Sequence, residues 1–214
     1  MIANFLMAVT KKLILRNSLN NMDKVEKFFD EKAKTWDRSD DHSLLIKEQL
    51  IDNAQIVKGD HVLDVGCGTG VITELLFNRS QEDVDAIDLS SEMINIAKMK
   101  FLNNEKLHFI HKNFLEYFPN KKYDKLIVYN AYPHFLDLDK FIKHCHELLN
   151  NNGVLLIIHS LSRKELNSHH EAHALKVSRL LDDVEKESKK FIEYFDIIKS
   201  LEDDEKIIML FKAK

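Results

Sequence analysis

The sequence predicts an α/β fold with a doubly wound, seven-stranded, mostly parallel sheet, one antiparallel strand near the C-terminus and helices on both faces. Short aliphatic strands alternate with segments of helical periodicity, which is typical of right-handed βαβ units. A glycine-rich turn follows the first predicted strand. The chain closes with two strands around the acidic turn 202–205, and so short a turn can join only antiparallel strands.

The N-terminal part of the chain is predicted to be helical. An apolar start, 2–9, precedes its basic residues, whereas a secretory signal has them first, so a leading helix or a frayed tail is expected. Met22 is an alternative natural start. A second helix is expected over 43–56, with Ser43 as its N-cap. Helical spacing joins the apolar residues Val25, Phe28, Phe29, Ala33 and Trp36.

The remaining elements follow the alternating pattern. Segment 154–158 is apolar throughout, which favours a strand buried on both faces. The expected strands are 61–65, 84–88, 107–110, 123–129, 154–158, 195–200 and 206–212. The expected helices are 71–78, 91–101 (capped by Ser90 or Ser91), 138–149 and one long polar helix over 164–186.

Charge and cysteine content narrow the class of protein. The chain has 31 basic and 35 acidic residues and a net charge of −4, which argues against broad attraction to nucleic acid. Cys67 and Cys145 form no paired motif, which indicates a reducing compartment. No stretch reaches the ~20 apolar residues of a membrane span. We therefore expect a cytoplasmic protein with neither a nucleic-acid nor a membrane partner.

The glycine-rich turn carries the strongest chemical signal. Gly66, Gly68 and Gly70 lie where a ligand of an open α/β sheet binds, at the carboxyl end of a strand. Their G-x-G-x-G spacing is one residue shorter than the dinucleotide fingerprint. Asp64, just before the turn, would repel a diphosphate but suits the ammonium and sulfonium of S-adenosylmethionine. Asp88 ends the second strand, where a carboxylate can accept hydrogen bonds from ribose hydroxyls, as it also does in nicotinamide enzymes.

Two motifs resemble those of the class I (Rossmann-like) S-adenosylmethionine-dependent methyltransferases, especially the small-molecule and quinone-type group. They are Val-Leu-Asp-Val-Gly-Cys-Gly-Thr-Gly at 62–70 and Ala-Ile-Asp-Leu-Ser-Ser-Glu-Met at 86–93. Weaker similarity extends through Asn113-Phe114, Asn130-Ala131 and 153–155. The resemblance implies an enzyme that moves a methyl group from S-adenosyl-L-methionine to a small-molecule acceptor by direct displacement.

The resemblance also implies residue roles. Asp64 and the glycine loop would hold the amino-acid end of the cofactor, and Asp88 would bind its ribose. Met93 would pack on the adenine, and Asn130 would lie near the sulfonium. Asn113 replaces the usual aspartate that accepts from the adenine amino group, and its amide oxygen can still accept. The implied cofactor-binding residues are Asp64, Gly66, Cys67, Gly68, Gly70, Asp88, Leu89, Met93, Asn113, Phe114 and Asn130.

Each of these side chains also has a purely structural interpretation. Asp64 can tie down the loop, Asp88 can cap the following helix, and Met93 can be core. Asn113 and Asn130 can be turn residues. Cys67 is interpreted as a small packing residue, because no base lies near it in sequence.

Histidines follow the strands that would face the methyl group. His134 and His159 are the candidate catalytic bases, since the histidine pKa lies near working pH. His169, His170 and His173 follow soon after. Binding of a divalent metal is an alternative, although 170–173 lacks the H-E-x-x-H spacing, and solvent-facing polar residues are a third. No metal ligands are assigned.

Other functions remain open. A nicotinamide-dependent oxidoreductase is disfavoured by the loop spacing and by Asp64, and a non-catalytic S-adenosylmethionine-binding protein is a further alternative. We expect an N-terminal helical segment, 1–42, that can act as a lid, and a Rossmann-like methyltransferase domain, 43–214. The aromatic stripe of Phe28, Phe29 and Trp36 either closes over the cofactor or packs on the sheet edge. A homodimer is compatible with the sequence.

Overall fold

The computed structural model describes residues 21–39 and 43–214. The prediction for the apolar start at 2–9 lies outside the described residues, and the predicted domain boundary falls in the gap between the two ranges. No helix within the described ranges is both long and apolar enough to cross a bilayer.

Besides four three-residue 3-10 helices, the described chain has eight α-helices and seven strands, with the bounds that follow. The helices are α1 (21–32), α2 (Trp36–Ser39), α3 (Leu44–Ile51), α4 (Thr73–Ser80), α5 (Ser91–Lys100), α6 (Leu138–Leu148), α7 (Arg163–His173) and α8 (Val184–Lys189). The strands are β1 (Val62–Val65), β2 (Val84–Asp88), β3 (Leu107–His111), β4 (Tyr123–Tyr129), β5 (Leu149–His159), β6 (Phe195–Glu202) and β7 (Ile207–Ala213).

The strands form one sheet in the order β3-β2-β1-β4-β5-β7-β6. Strands β1 to β5 are parallel to their neighbours, whereas β7 runs antiparallel to both β5 and β6. This confirms the predicted fold class, including its single antiparallel strand. The strand order reverses between β1 and β4, so the loops after these two strands diverge and leave a crevice at their carboxyl ends.

Alternating side chains of the strands pack on two layers of helices. In β1, Leu63 and Val65 join the core under α6 and α8. Val62 joins the core under α3, α4 and α5 on the opposite face. This period of two places Asp64 on the second face, directly before the glycine loop. The sheet therefore holds the loop and its carboxylate between two packed layers.

Serine N-caps in the sequence correctly predicted where two of the helices begin. The Ser43 hydroxyl accepts a hydrogen bond from the Ile46 N–H at 3.4 Å, and the Ser90 hydroxyl accepts one from the Met93 N–H at 3.1 Å. Both predicted N-caps are thereby confirmed, because a serine oxygen satisfies a backbone donor that has no partner within the helix.

The predicted long polar helix over 164–186 is wrong. Helix α7 ends at His173, and α8 begins at Val184 with Asp183 as its N-cap. The Asn167 side chain donates to the Leu181 carbonyl at 3.0 Å and accepts from the Leu181 N–H at 2.9 Å, which folds the intervening segment back against α7. Segment 174–177 then packs against α1.

Candidate functional site

A cavity of about 760 Å³ opens at the crevice between β1 and β4. The glycine loop, the ends of β2 and β4, α1 and α7 supply its walls. It is lined by every predicted cofactor-binding residue except Gly70, namely Asp64, Gly66, Cys67, Gly68, Asp88, Leu89, Met93, Asn113, Phe114 and Asn130. Gly70 instead faces the rings of Phe101 and Phe109.

Gly66 and Gly68 of the loop have positive φ angles, and at Gly66 a neighbour also leaves no room for a side chain. Gly66 has a φ of 71°, and a Cβ added there would lie 2.6 Å from the Ala131 Cβ. Gly68 has a φ of 53°, and its added Cβ would lie 3.4 Å from Nε1 of Trp36. Glycine adopts such backbone angles with the least strain. The loop therefore lies directly under an aromatic side chain of the N-terminal segment.

Asp64 is a buried carboxylate with one engaged oxygen. Its Oδ2 accepts a hydrogen bond of 2.6 Å from the Thr73 hydroxyl, while Oδ1 has no partner among the described residues. Burial raises the pKa of Asp64 to about 7, with repulsion from Asp88 adding to it and the Thr73 hydrogen bond opposing it. Because a buried unpaired oxygen is costly, this site is suited to a ligand that donates a hydrogen bond or carries positive charge.

Asp88 ties the glycine loop to α5. Its Oδ2 accepts from the Gly68 N–H at 2.8 Å, and its Oδ1 accepts from the Ser90 N–H at 2.8 Å. Burial raises the pKa of Asp88, and these two backbone hydrogen bonds lower it. The contact with Ser90 is the helix-capping role considered above, and each oxygen keeps further lone-pair capacity for a ligand.

The side chain of Asn113 has a fixed orientation. Its Oδ1 accepts from the Leu115 N–H at 3.1 Å, so the oxygen side of the amide is identified by a backbone donor. Its Nδ2 lies 2.8 Å from Sδ of Met22 on α1. Asn113 is therefore also a turn residue, and its amino group, rather than its oxygen, is directed toward α1.

Asn130 joins the ends of β4 and β5. It has a φ of 54°, its Oδ1 accepts from the Ser160 N–H at 2.9 Å, and its Nδ2 donates to the Ser160 hydroxyl at 2.8 Å. The amide is thus engaged on both sides. Met93 is 1% exposed, and its sulfur lies near the position of an added Cβ on Gly68.

The structure separates the two candidate bases. His134 lines the cavity, together with His169, His170 and His173, whereas His159 is fully buried and is not part of the lining. Neither ring nitrogen of His159 has a hydrogen-bond partner among the described residues. Four of the five histidines therefore converge on one cavity, and the fifth lies outside it.

Three of these histidines are uncharged at neutral pH, so the expectation of a histidine pKa near working pH is wrong for both candidate bases. Burial lowers the pKa of His134 to about 4, with the neighbouring His170 and His169 adding to the effect and a hydrogen bond to Val177 opposing it. Burial likewise lowers the pKa of His170 to about 4 and that of His159 to about 3. Within residues 21–39 and 43–214, no group of three or more ligating side chains is arranged to hold a metal ion.

The aromatic stripe of α1 and α2 lies over the cavity. The Phe29 ring meets Trp36 edge to face at 5.6 Å and His134 at 4.8 Å between ring centroids. Phe28, Phe29 and Trp36 all line the cavity. The stripe therefore faces the site rather than a remote sheet edge.

Two carboxylates that the sequence analysis missed attach the N-terminal segment to the site. Oδ1 of Asp30 accepts from the Ser90 hydroxyl at 2.5 Å and from the Glu92 N–H at 3.1 Å. Asp37 accepts from the Thr69 hydroxyl. The two aspartates lie seven residues apart, as Phe29 and Trp36 do, so the helical periodicity that identified the aromatic stripe contained the signal.

The family follows from this geometry together with the sequence comparisons. Residues 62–153 match the family described as the methyltransferase domain. The chain thus contains a segment that matches the methyltransferase domain and has the fold of class I S-adenosylmethionine-dependent methyltransferases. It is 33% identical over 140 residues to malonyl-[acyl-carrier protein] O-methyltransferase 2 of Ilyobacter polytropus, which covers 62% of this chain and 52% of that relative. The chain thus spans about half the length of this methyltransferase.

Two further comparisons show the range of methyltransferases that this chain resembles. Ubiquinone biosynthesis O-methyltransferase of Pelagibacter ubique is 30% identical over 161 residues, covering 66% of this chain and 65% of that one. The N-methyltransferase NodS from Bradyrhizobium japonicum WM9, solved with S-adenosyl-L-homocysteine, superposes with a TM-score of 0.70 at 15% identity, covering 88% of this chain and 98% of NodS. The NodS comparison establishes the shared fold.

Proposed function

We propose that this chain is an enzyme that transfers a methyl group from S-adenosyl-L-methionine to a small-molecule acceptor. The buried, unpartnered Oδ1 of Asp64 beside the glycine loop carries this proposal. An anionic oxygen there attracts the ammonium of the cofactor's amino-acid end and repels a diphosphate. The same atom therefore disfavours a nicotinamide-dependent oxidoreductase.

The other residues of the site complete the cofactor pocket. Asp88 would accept hydrogen bonds from the ribose, and Leu89, Met93 and Phe114 would enclose the adenine next to Asn113. These residues line one continuous cavity with the glycine loop, which supports assigning them to one ligand. Asn130, held by Ser160, would form the wall nearest the reacting methyl group.

The cofactor supplies a methyl group on a sulfonium, whose thioether is already a good leaving group. The chain therefore has to align the acceptor and exclude water. Residues 21–39 of the predicted lid, with Phe29 and Trp36 over the cavity, would supply that exclusion. NodS, which shares the fold, was solved with the demethylated form of this cofactor, which is consistent with the assignment.

Of the two candidate bases, we propose His134 as the group that receives the acceptor's proton. It lines the cavity, and its Nδ1 lies 3.0 Å from the Val177 carbonyl. A carbonyl only accepts, so Nδ1 carries the proton and Nε2 keeps the lone pair. His159, buried outside the cavity, is proposed only to support this region.

We also propose the type of acceptor, the cellular location and the oligomeric state. The net charge of −4 favours a small acceptor over nucleic acid. The two buried, unpaired cysteines, Cys67 and Cys145, are consistent with a cytoplasmic location. A homodimer would be detected by the molar mass from light scattering.

Transfer of label tests the proposed activity directly. The purified protein is incubated with methyl-labelled S-adenosylmethionine and the low-molecular-mass fraction of a cell extract. We expect label in a small product, its loss in Asp64→Ala, and its retention in Asp83→Asn, which changes a carboxylate outside the cavity. Tight cofactor binding without any transfer would instead favour the non-catalytic binding protein.

A further inference from the structure

Part of the cavity lining consists of aromatic and apolar side chains that contact one another. We call it the acceptor lobe and define it by Val25, Phe28, Phe29, His134, His170 and Ala174. The Phe28 and Phe29 rings meet edge to face at 5.2 Å, and His134 and His170 lie 5.2 Å apart between ring centroids. Aromatic side chains in this arrangement can pack against a flat ring compound through their edges and faces.

Nothing described in the lining offers the acceptor lobe a buried counter-charge. Apart from Asp64 and Asp88 of the cofactor pocket, the charged residues of the described lining are Lys32, Lys112 and Asp137, and all three are exposed. The Lys32 ammonium lies 5.9 Å from the centre of the Phe28 ring. A charged acceptor would lose its hydration on entry without gaining a buried partner, which is strongly unfavourable.

The two histidines of the acceptor lobe leave hydrogen-bonding capacity unused. The Val177 carbonyl assigns the proton of His134 to Nδ1, so Nε2 is an acceptor. His170 is 4% exposed, and its Nδ1 has no partner among the described residues. Both rings are uncharged at neutral pH because burial lowers the pKa of each to about 4. A ligand that donates a hydrogen bond would satisfy these atoms.

From these contacts we infer that the methyl acceptor is an uncharged ring compound whose hydroxyl or thiol donates a hydrogen bond to His134 or His170. The inference rests on the proposed function and narrows it, because it excludes carboxylate and ammonium acceptors. The acceptor oxygen or sulfur bonds to the methyl carbon while the carbon–sulfur bond of the donor breaks. The donor sulfur keeps that electron pair, and the acceptor's proton passes to Nε2 of His134.

A matched ligand series tests the inference on the unsubstituted protein. Calorimetry measures the binding of naphthol, its methyl ether, naphthoate and naphthylmethylammonium to protein saturated with S-adenosylhomocysteine. We expect naphthol to bind about tenfold more tightly than each of the others, since the others lack the donor or carry a charge. Naphthoate or the ammonium compound binding as tightly as naphthol would overturn the inference. The inference would also be overturned if the protein bound S-adenosylhomocysteine to saturation but did not bind naphthol.

Substitutions assign the effect to the acceptor lobe. His170→Phe keeps an aromatic ring but removes the buried nitrogen, and we expect the advantage of naphthol over its methyl ether to fall about fivefold. His134→Phe should act in the same direction, whereas His61→Phe, outside the cavity, should leave the ratio unchanged. An unchanged ratio in both cavity variants contradicts the inference. Failure of the unsubstituted protein to bind S-adenosylhomocysteine at all would overturn the proposed function itself, and this inference with it.

Discussion

The Thr73 hydroxyl donates to Oδ2 of Asp64 at 2.6 Å, and this contact leaves the other carboxylate oxygen buried without a partner among the described residues. Thr73 is the first residue of α4, so the bond joins the end of β1 to the helix that follows the glycine loop. It fixes the plane of the carboxylate, and with it the direction of the unpaired oxygen beside the cavity.

Cofactor affinity should depend on the ionisation of Asp64. Because burial raises its pKa to about 7, Asp64 is partly protonated near neutrality in the free protein. A cationic ligand prefers the ionised form, so the affinity for S-adenosylhomocysteine should rise between about pH 6 and about pH 8. Calorimetry across this range measures the slope. Asp64→Asn should bind more weakly and lose this pH dependence, and a wild-type affinity that is constant with pH would contradict the account.

The stability of the free protein should show the opposite trend. The folded pKa of Asp64 lies above its ordinary value of 3.8, so its contribution to the unfolding free energy is fully present below that value and is lost as pH rises through about 7. A folded pKa that differs from the unfolded pKa by one corresponds to about 1.4 kcal/mol of unfolding free energy. Urea unfolding at several pH values, compared with Asp64→Asn, isolates this contribution. An identical pH dependence in the two proteins would exclude it.

Removal of the Thr73 hydroxyl should weaken cofactor binding. In Thr73→Val the Asp64 carboxylate loses its only side-chain donor among the described residues, and since that hydrogen bond lowers the pKa of Asp64, the pKa should rise further. We expect a loss in S-adenosylhomocysteine affinity of about threefold to tenfold at neutral pH. Thr73→Ser keeps the hydroxyl and is the matched control. Equal affinities in the two variants would refute the role of this contact.

The conversion of Asn113 to aspartate should strengthen cofactor binding. The amide oxygen already accepts from Leu115, so only an amino group remains on the side of α1 and the proposed adenine position. Asn113→Asp offers a second oxygen to the adenine amino group, and we expect about a threefold to tenfold gain. Asn104→Asp, in the turn before β3, is the control. Weaker binding in Asn113→Asp would argue against an adenine contact here.

The N-terminal segment should change its fluorescence when the cofactor binds, and it should slow release of the cofactor. Trp36 is the single tryptophan of the chain and lies over Gly68, so its fluorescence should change when S-adenosylhomocysteine binds. Asp30→Ala removes the acceptor for Ser90 and Glu92. S-adenosylhomocysteine should dissociate from this variant about fivefold faster than from the wild type. Glu31→Ala, on the same helix, should leave the rate unchanged. Stopped-flow fluorescence measures both, and equal rates in Asp30→Ala and the wild type would contradict the lid.

Local patterns predicted much of the fold. The serine caps at Ser43 and Ser90 act within one helical turn, and strand alternation is visible in the aliphatic pattern. The break between α7 and α8 was not predictable in this way, because it depends on the pairing of Asn167 with Leu181 across 14 residues. The sequence around either residue does not indicate such a long-range contact.

The site was predicted unevenly for the same reason. The glycine loop and Asp88 follow from the position of strand ends, which sequence shows. His159 ends β5, whose side chains are buried on both faces of the sheet, so the alternation along the strand could not show whether its ring enters the cavity. Asp30 and Asp37 share the seven-residue spacing of Phe29 and Trp36, but only the tertiary structure shows that they bind Ser90 and Thr69.

Calorimetry of the unsubstituted protein with S-adenosylhomocysteine and with NADH tests the central claim most directly. We expect saturable binding of S-adenosylhomocysteine and none of NADH, because Oδ1 of Asp64 attracts an ammonium and repels a diphosphate. Binding of NADH in preference, or of neither compound, would contradict it.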